Sequence, residues 1–203
     1  HDEWFRRSRN GMHIETTRRE IFKSGGALVV CFSLAGAFEQ AVAQGAGAKP
    51  VALNEVDSFL AIDPKGMVTL YSGKVDLGTG VSTALPQIVA EELDVPLAAV
   101  RLVQGDTALT PDQGTTWGSL SVQVGGMQLR NAAATARAAL LEEAAKRLNA
   151  KKEDLKVTDG LISAGNKRVS YGELIGNKQF NLKLDHTKPA AGKDPKDYKI
   201  VGK

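Results

Sequence analysis

Cysteine is almost missing from this chain; Cys31 is the only one. A lone thiol closes no internal disulfide and cannot supply the thiolates of an iron–sulfur cluster or a Cys-rich zinc site. Histidine is scarce as well. His1, His13 and His186 lie far apart, with no acidic or cysteine partner at ligand spacing. A metal held directly by protein side chains is therefore not expected, and any redox chemistry must come from an organic or organometallic cofactor or from a partner chain. Aromatic residues make up only 5% of the chain, and a net charge of +3 is spread over 203 residues with no basic cluster. Nucleic-acid binding calls for clustered Lys and Arg with stacking aromatics, so no nucleic-acid partner is expected.

Long apolar runs are also lacking. The one candidate, residues 24–38, contains Gly25, Gly26 and Gly36. It is too short and too rich in glycine for a comfortable membrane span, and glycine argues equally against a buried helix. Its flanks give it another meaning. Arg18-Arg19, followed by Ile21, Phe22 and Lys23, precedes the run, and the small-x-small exit Ala41-Val42-Ala43 follows it. Basic, apolar and small-residue regions in that order make an export signal, here of the twin-arginine type. The expectation is a periplasmic protein, attached to the inner membrane if the segment stays uncleaved as an anchor. Met12 fits an initiator, and Leu28-Val29-Val30-Cys31 makes a poorer lipoprotein signal because Val30 stands where a small residue is wanted. The organisation expected is residues 1–43 as extension and signal, 44–55 as linker, 56–176 as an α+β domain and 177–203 as connector to a following domain.

What the chain does have is glycine and hydroxyl side chains at two turns that each open a helix. Residues 56–73 read as a hairpin around Asp63-Pro64-Lys65-Gly66, with Pro at the second turn position and Gly where φ must be positive. Residues 74–80, K-V-D-L-G-T-G, then hand over to an amphipathic helix carrying Val81, Leu85, Ile88, Val89 and Leu93. A start near Thr83 would place Pro86 in its first turn. A short strand follows at residues 100–103. Residues 110–126, T-P-D-Q-G-T-T-W-G-S-L-S-V-Q-V-G-G, lead into an alanine-rich helix whose buried stripe is Leu140, Leu141, Ala144 and Leu148. Unpaired N–H groups and the positive end of a helix dipole suit an anion, although an ordinary loop with a Ser N-cap would look the same. Three short strands at residues 155–170, a short helix at 171–175 capped by Ser170, and an extended stretch at 194–198 complete the reading. Asp106 and Asp112 are the local carboxylates, and both are read as structural. Neither a G-x-x-x-x-G-K-[ST] loop nor a G-x-G-x-x-G fingerprint occurs, which counts against a generic nucleotide-binding domain.

The run from residue 72 to 137 closely resembles the xanthine dehydrogenase family, in its molybdopterin-binding large subunits. The nearest branch looks like isoquinoline 1-oxidoreductase, nicotinate dehydrogenase and membrane-associated aldehyde dehydrogenase. Three segments carry the resemblance within residues 56–203. They are G-K-V-D-L-G-T-G-V-S-T-A-L-P-Q-I-V-A-E-E-L-D-V-P at 73–96, G-D-T-A-L-T-P-D-Q-G-T-T-W-G-S-L-S at 105–121, and K-D-P-K-D-Y-K-I-V-G-K at 193–203. The resemblance implies a small mixed sheet with two main helices of the molybdenum-cofactor-binding type, preceded by an export-signal helix. It implies a molybdenum–molybdopterin cytosine dinucleotide contacted by Gly78, Thr79, Gly80, Thr116, Trp117, Gly118, Ser119, Leu120 and Ser121. Thr79 stands where the family usually carries Gln, and a hydroxyl cannot reproduce the paired contacts of an amide. The family's general-base glutamate lies further along the chain, so no catalytic residue is expected here. The implied partners are the remainder of the large subunit, a small [2Fe–2S] subunit and a c-type cytochrome bearing haem c. The implied chemistry is oxidation of an aldehyde or N-heteroaromatic substrate with oxygen from water. A non-catalytic scaffold or assembly module of the same complex is the alternative.

Overall fold

The computed structural model describes residues 49–176 and 178–202. The export signal, Cys31, His1, His13 and residues 44–48 of the linker lie outside the described residues. Within them no helix is long and apolar enough to cross a membrane.

The hairpin forms as the turn chemistry predicts. Strands β1 (Leu60–Ile62) and β2 (Val68–Ser72) pair antiparallel, with Leu60 opposite Leu70 and Ile62 opposite Val68. Asp63 closes the turn by accepting the N–H groups of Lys65 and Met67, and Gly66 takes φ +81°. The same strand β2 pairs parallel to β3 (Val100–Gln104). A parallel pair requires a crossover, and helix α1 (Val81–Leu93) supplies it. The alternation along the sheet buries Leu60, Ile62, Val68 and Leu70 in one core with Val81, Leu85, Val89 and Leu93 of α1.

Helix α1 begins at Val81, two residues before the start expected from Pro86, which therefore falls in the second turn. The physical reason is a cap. Asp76 accepts N–H bonds from Gly78, Thr79, Gly80 and Ser82, so the first turn is organised before the proline is reached. Helix α2 (Met127–Leu148) packs against α1 and is entered through a π-helical turn, Ser121–Gly126. The expected stripe of Leu140, Leu141, Ala144 and Leu148 is buried together with Leu129, Ala132, Ala133 and Ala136. Gly126 of the π-helical turn lets α1 pack close, since a Cβ there would lie 2.9 Å from Ile88 Cδ1.

The mixed sheet and two main helices are joined by a second sheet. Strands β4 (Lys156–Thr158), β5 (Leu161–Ala164) and β6 (Lys167–Ser170) form an antiparallel meander of their own. Helix α3 (Tyr171–Ile175) follows through a capping box made by Ser170 and Glu173. The Tyr171 hydroxyl donates to Leu93 O at 2.9 Å, and the Gly160 N–H donates to Asp94 O. These bonds tie the meander to the end of α1.

The stretch expected to be extended is a 3₁₀ turn, Pro195–Asp197, with both ends pinned to α1. Glu91, 2% exposed, accepts the consecutive N–H groups of Lys199, Ile200 and Val201 on Oε2. Its Oε1 receives the Lys193 ammonium at 2.9 Å, and Lys193 also bonds Asp94. Arg130 pairs with Glu92 and donates to Lys193 O, while Arg137 pairs with Asp94.

Burial would raise the Glu91 carboxyl, but the Lys193 ammonium and the three backbone N–H groups outweigh it and bring it to about 2. A depressed carboxyl contributes stability above its ordinary value near 4.5 and loses it as pH falls toward 2. The melting-temperature gap between the parent chain and Glu91→Gln is therefore expected to be widest above pH 5 and to close toward pH 2. A gap constant across that range in thermal melts would mean the carboxylate charge is not its source.

Candidate functional site

The two glycine-rich loops lie at the carboxyl ends of the parallel strands β2 and β3, the edge where α/β crossovers leave a crevice. The first loop leaves β2 at Gly73. A Cβ there would sit 2.3 Å from Pro111 O, so only glycine lets the second loop lie against the strand end. Gln113 makes the join. Its Oε1 accepts from Ser72 Oγ at 2.7 Å and Gly73 N at 3.0 Å, and its Nε2 donates to Gln128 Oε1 and Gly125 O. One buried amide thus connects β2, the second loop, the π-helical turn and α2. Two further residues fasten the loops. Lys74 Nζ donates to Gly114 O at 3.1 Å and Thr115 O at 2.7 Å, and the Val75 N–H donates to Thr116 Oγ1.

The first loop's anion nest is filled from within. Besides its four amides, Asp76 receives the Ser82 hydroxyl at 2.6 Å. The Ser82 hydroxyl and amide, with the Thr79 and Gly78 amides, hold its carboxyl well below the usual range. The backbone donors of Gly78, Thr79 and Gly80 therefore already have an anion, and these three residues make no hydrogen bond to the second loop among the described residues.

The second loop differs. Gly118 and Ser119 both adopt positive φ, +57° and +59°, an uncommon pair of conformations for which Ser is poorly suited. The chain then turns through Leu120, whose N–H donates to Trp117 O, into the π-helical turn. Such turns inside helices concentrate at functional sites. The N–H groups of Gly118 and Ser119 have no acceptor among the described residues. Ser121 is 9% exposed, and Trp117 is 70% exposed. At the end of β3, Gln104 Oε1 is buried without a hydrogen-bond donor among the described residues. Asp106 and Asp112 close local turns, accepting from Ala108 and Leu109 and from Gly114 respectively, which agrees with their structural reading.

Thr116 is thus drawn to the first loop, Trp117–Ser121 form a separate rim, and Gly78–Gly80 cap a helix. Sequence reasoning misses Gln113, Lys74 and Asp76. Asp76 leaves a signal, an acid just ahead of a helix start. Gln113 and Lys74 leave none, because their partners lie some 40 residues away.

Comparison with known proteins gives the family. The molybdopterin cofactor-binding domain pattern matches residues 9–198. A nicotinate dehydrogenase subunit from Pseudomonas putida is 43% identical over 150 residues, covering 73% of this chain and 12% of that protein. Membrane-bound aldehyde dehydrogenase [pyrroloquinoline-quinone] from Gluconacetobacter polyoxogenes is 31% identical over 117 residues, covering 58% of this chain and 15% of that one. Among solved structures, reconstituted CO dehydrogenase from Oligotropha carboxidovorans superposes with a TM-score of 0.51 at 28% identity, over 57% of this chain and 15% of that one. The chain thus spans only 12–15% of the length of these proteins. It belongs to the molybdopterin cofactor-binding domain family.

Replacing Gln113 by Leu strands the Ser72 hydroxyl and the Gly73 N–H in a buried setting. The expected loss is about 2–4 kcal/mol of stability, read from urea unfolding midpoints. A loss below about 0.5 kcal/mol would show that the loops are joined by other contacts.

Proposed function

We propose that this chain is the N-terminal part of the molybdopterin-binding subunit of a periplasmic molybdenum hydroxylase or aldehyde dehydrogenase. Family membership supports the cofactor class, and the second loop is the observation that carries the site. It combines paired left-handed residues, amides without acceptors among the described residues, and the nearly buried Ser121. Such a rim of donors and acceptors fits a pterin with phosphate oxygens, and the exposed Trp117 ring offers a flat apolar face beside it. When bound, the cofactor would supply two-electron oxidation of an aldehyde or N-heteroaromatic carbon, with the oxygen coming from water. This chain's own residues then have a narrower task. Ser119 and Ser121 grip, Thr116 and Lys74 hold the loops together, and Gln113 keeps the second loop on the sheet edge.

Resemblance and sequence together support a fuller assignment. The dinucleotide is the cytosine form. The released electrons pass to a small [2Fe–2S] subunit and a c-type cytochrome. The twin-arginine segment exports the folded protein and can tether it to the inner membrane. The substrate classes accord with the names of the two relatives, one a nicotinate and the other an aldehyde dehydrogenase.

A scaffold role is the second reading. It is favoured by one observation, the occupation of the first loop's donors by Asp76 where an external anion would otherwise bind. Purification of the native complex separates the readings. Molybdenum and a pterin cytosine dinucleotide are expected in it by metal analysis and acid release of the nucleotide. Finding neither, or finding pyrroloquinoline quinone instead, would sink the leading reading. The double variant Ser119→Trp, Ser121→Trp should lower the molybdenum content about tenfold, corresponding to loss of at least one charge-assisted contact. Unchanged content and activity would favour the scaffold.

A further inference from the structure

Lys74 stands apart from every other basic residue near the site. It follows Gly73 at the end of β2 and is only 2% exposed. Its stem occupies space left by Gly125 of the π-helical turn, where a Cβ would come within 2.9 Å of Lys74 Cγ. The ammonium donates to two main-chain carbonyls, Gly114 O and Thr115 O. Carbonyl dipoles satisfy two of its three N–H donors but bring no negative charge. Among the described residues no carboxylate forms an ion pair with it. Lys193 shows the contrast, being held between Glu91 and Asp94.

A buried ion without a counter-charge is costly. In surroundings of low polarizability the same ion attracts an anion far more strongly than a surface lysine would. Its ammonium lies against Gly114 and Thr115 of the second loop, the loop that also carries the free Gly118 and Ser119 amides. We infer that Lys74 is the charge partner of an anionic phosphate oxygen of the bound cofactor, and that its grip on Gly114 and Thr115 couples the loop's shape to the presence of that anion. This rests on the functional reading above and adds a binding residue to it.

Two substitutions in the full enzyme complex separate charge from tether. Lys74→Gln keeps N–H donors for the carbonyls but loses the charge, and Lys74→Met loses both. If charge is what matters, both should hold about tenfold less molybdenum and nucleotide than the parent, as expected for loss of one charged hydrogen bond. Gln at parental content with only Met depleted would overturn the inference and leave Lys74 a structural tether. Cofactor-free protein tests the residue independently of loading. Inorganic pyrophosphate should raise the melting temperature of the parent and bind Lys74→Gln about tenfold more weakly. Equal binding by the two, or no binding by the parent, overturns the inference. A parent complex that contains no molybdopterin but whose apo form shows this pyrophosphate difference would remove the functional reading and keep the anion site. Should neither variant fold, a crystal structure of the parent with pyrophosphate decides. An oxygen about 2.8 Å from Lys74 Nζ supports the pairing, and a ligand bound elsewhere or not at all refutes it.

Discussion

The site depends on one buried amide. Gln113 is the residue through which the end of β2, the second loop, the π-helical turn and the first turn of α2 share hydrogen bonds. Each of those partners is a polar group that would be costly to bury alone. Gln suits the position because its amide offers acceptor and donors on one side chain, facing opposite ways. Glu would lack the donors for Gly125 and Gln128, and Leu would lack everything. The bare contact of Gly73 with Pro111 follows from this join, because Gln113 draws the second loop onto the strand end.

Carboxylates do much of the remaining work by binding the chain's own amides. Asp76 fills the head of α1, Glu91 takes three N–H groups near the C-terminus, and Asp57 takes those of Phe180 and Asn181. The electrostatics of the three differ. Asp76 and Glu91 are pulled below the usual carboxyl range by their donors, whereas burial dominates at Asp57 and pushes it up. A glycine turn ahead of a helix is therefore an anion site whose anion can be internal. The discriminating feature is whether an acid lies within reach of the donors. It does in the first loop, and none serves the Gly118 and Ser119 amides of the second among the described residues.

Local pattern makes much of the fold legible. The hairpin turn, both helices, the three meander strands and the Ser170 cap are readable because each is specified within a few residues by period, turn chemistry or capping. The start of α1 is misplaced when Pro86 is taken as the boundary signal, because Asp76, a stronger determinant, lies well ahead of it. The docking of residues 199–201 is unreadable for another reason. It exists because Glu91, about a hundred residues earlier, supplies the acceptor. Distance in sequence also hides Gln113 and Lys74. Their neighbours in sequence are ordinary loop residues, and only the fold reveals that one is a junction and the other a buried charge. Family resemblance points to the two loops without separating residues that cap a helix, such as Gly78–Gly80, from residues left with free donors.

Helix α1 connects two regions that otherwise share little. Its first turn is set by Asp76 in the first loop, and Glu91 and Glu92 of its last turn, with Asp94 just beyond, hold residues 193–201. Thirteen residues make a rod about 20 Å long, packed along one side against β3 and α2. A rod clamped at both ends cannot shift at one end without loading the other, because its packed face tolerates little sliding. Ile88 of this rod packs against Gly126 of the π-helical turn, whose neighbour Gly125 packs against the Lys74 stem. The carboxylate dock at one end of α1 and the loop join at the other are two supports of the same rigid element.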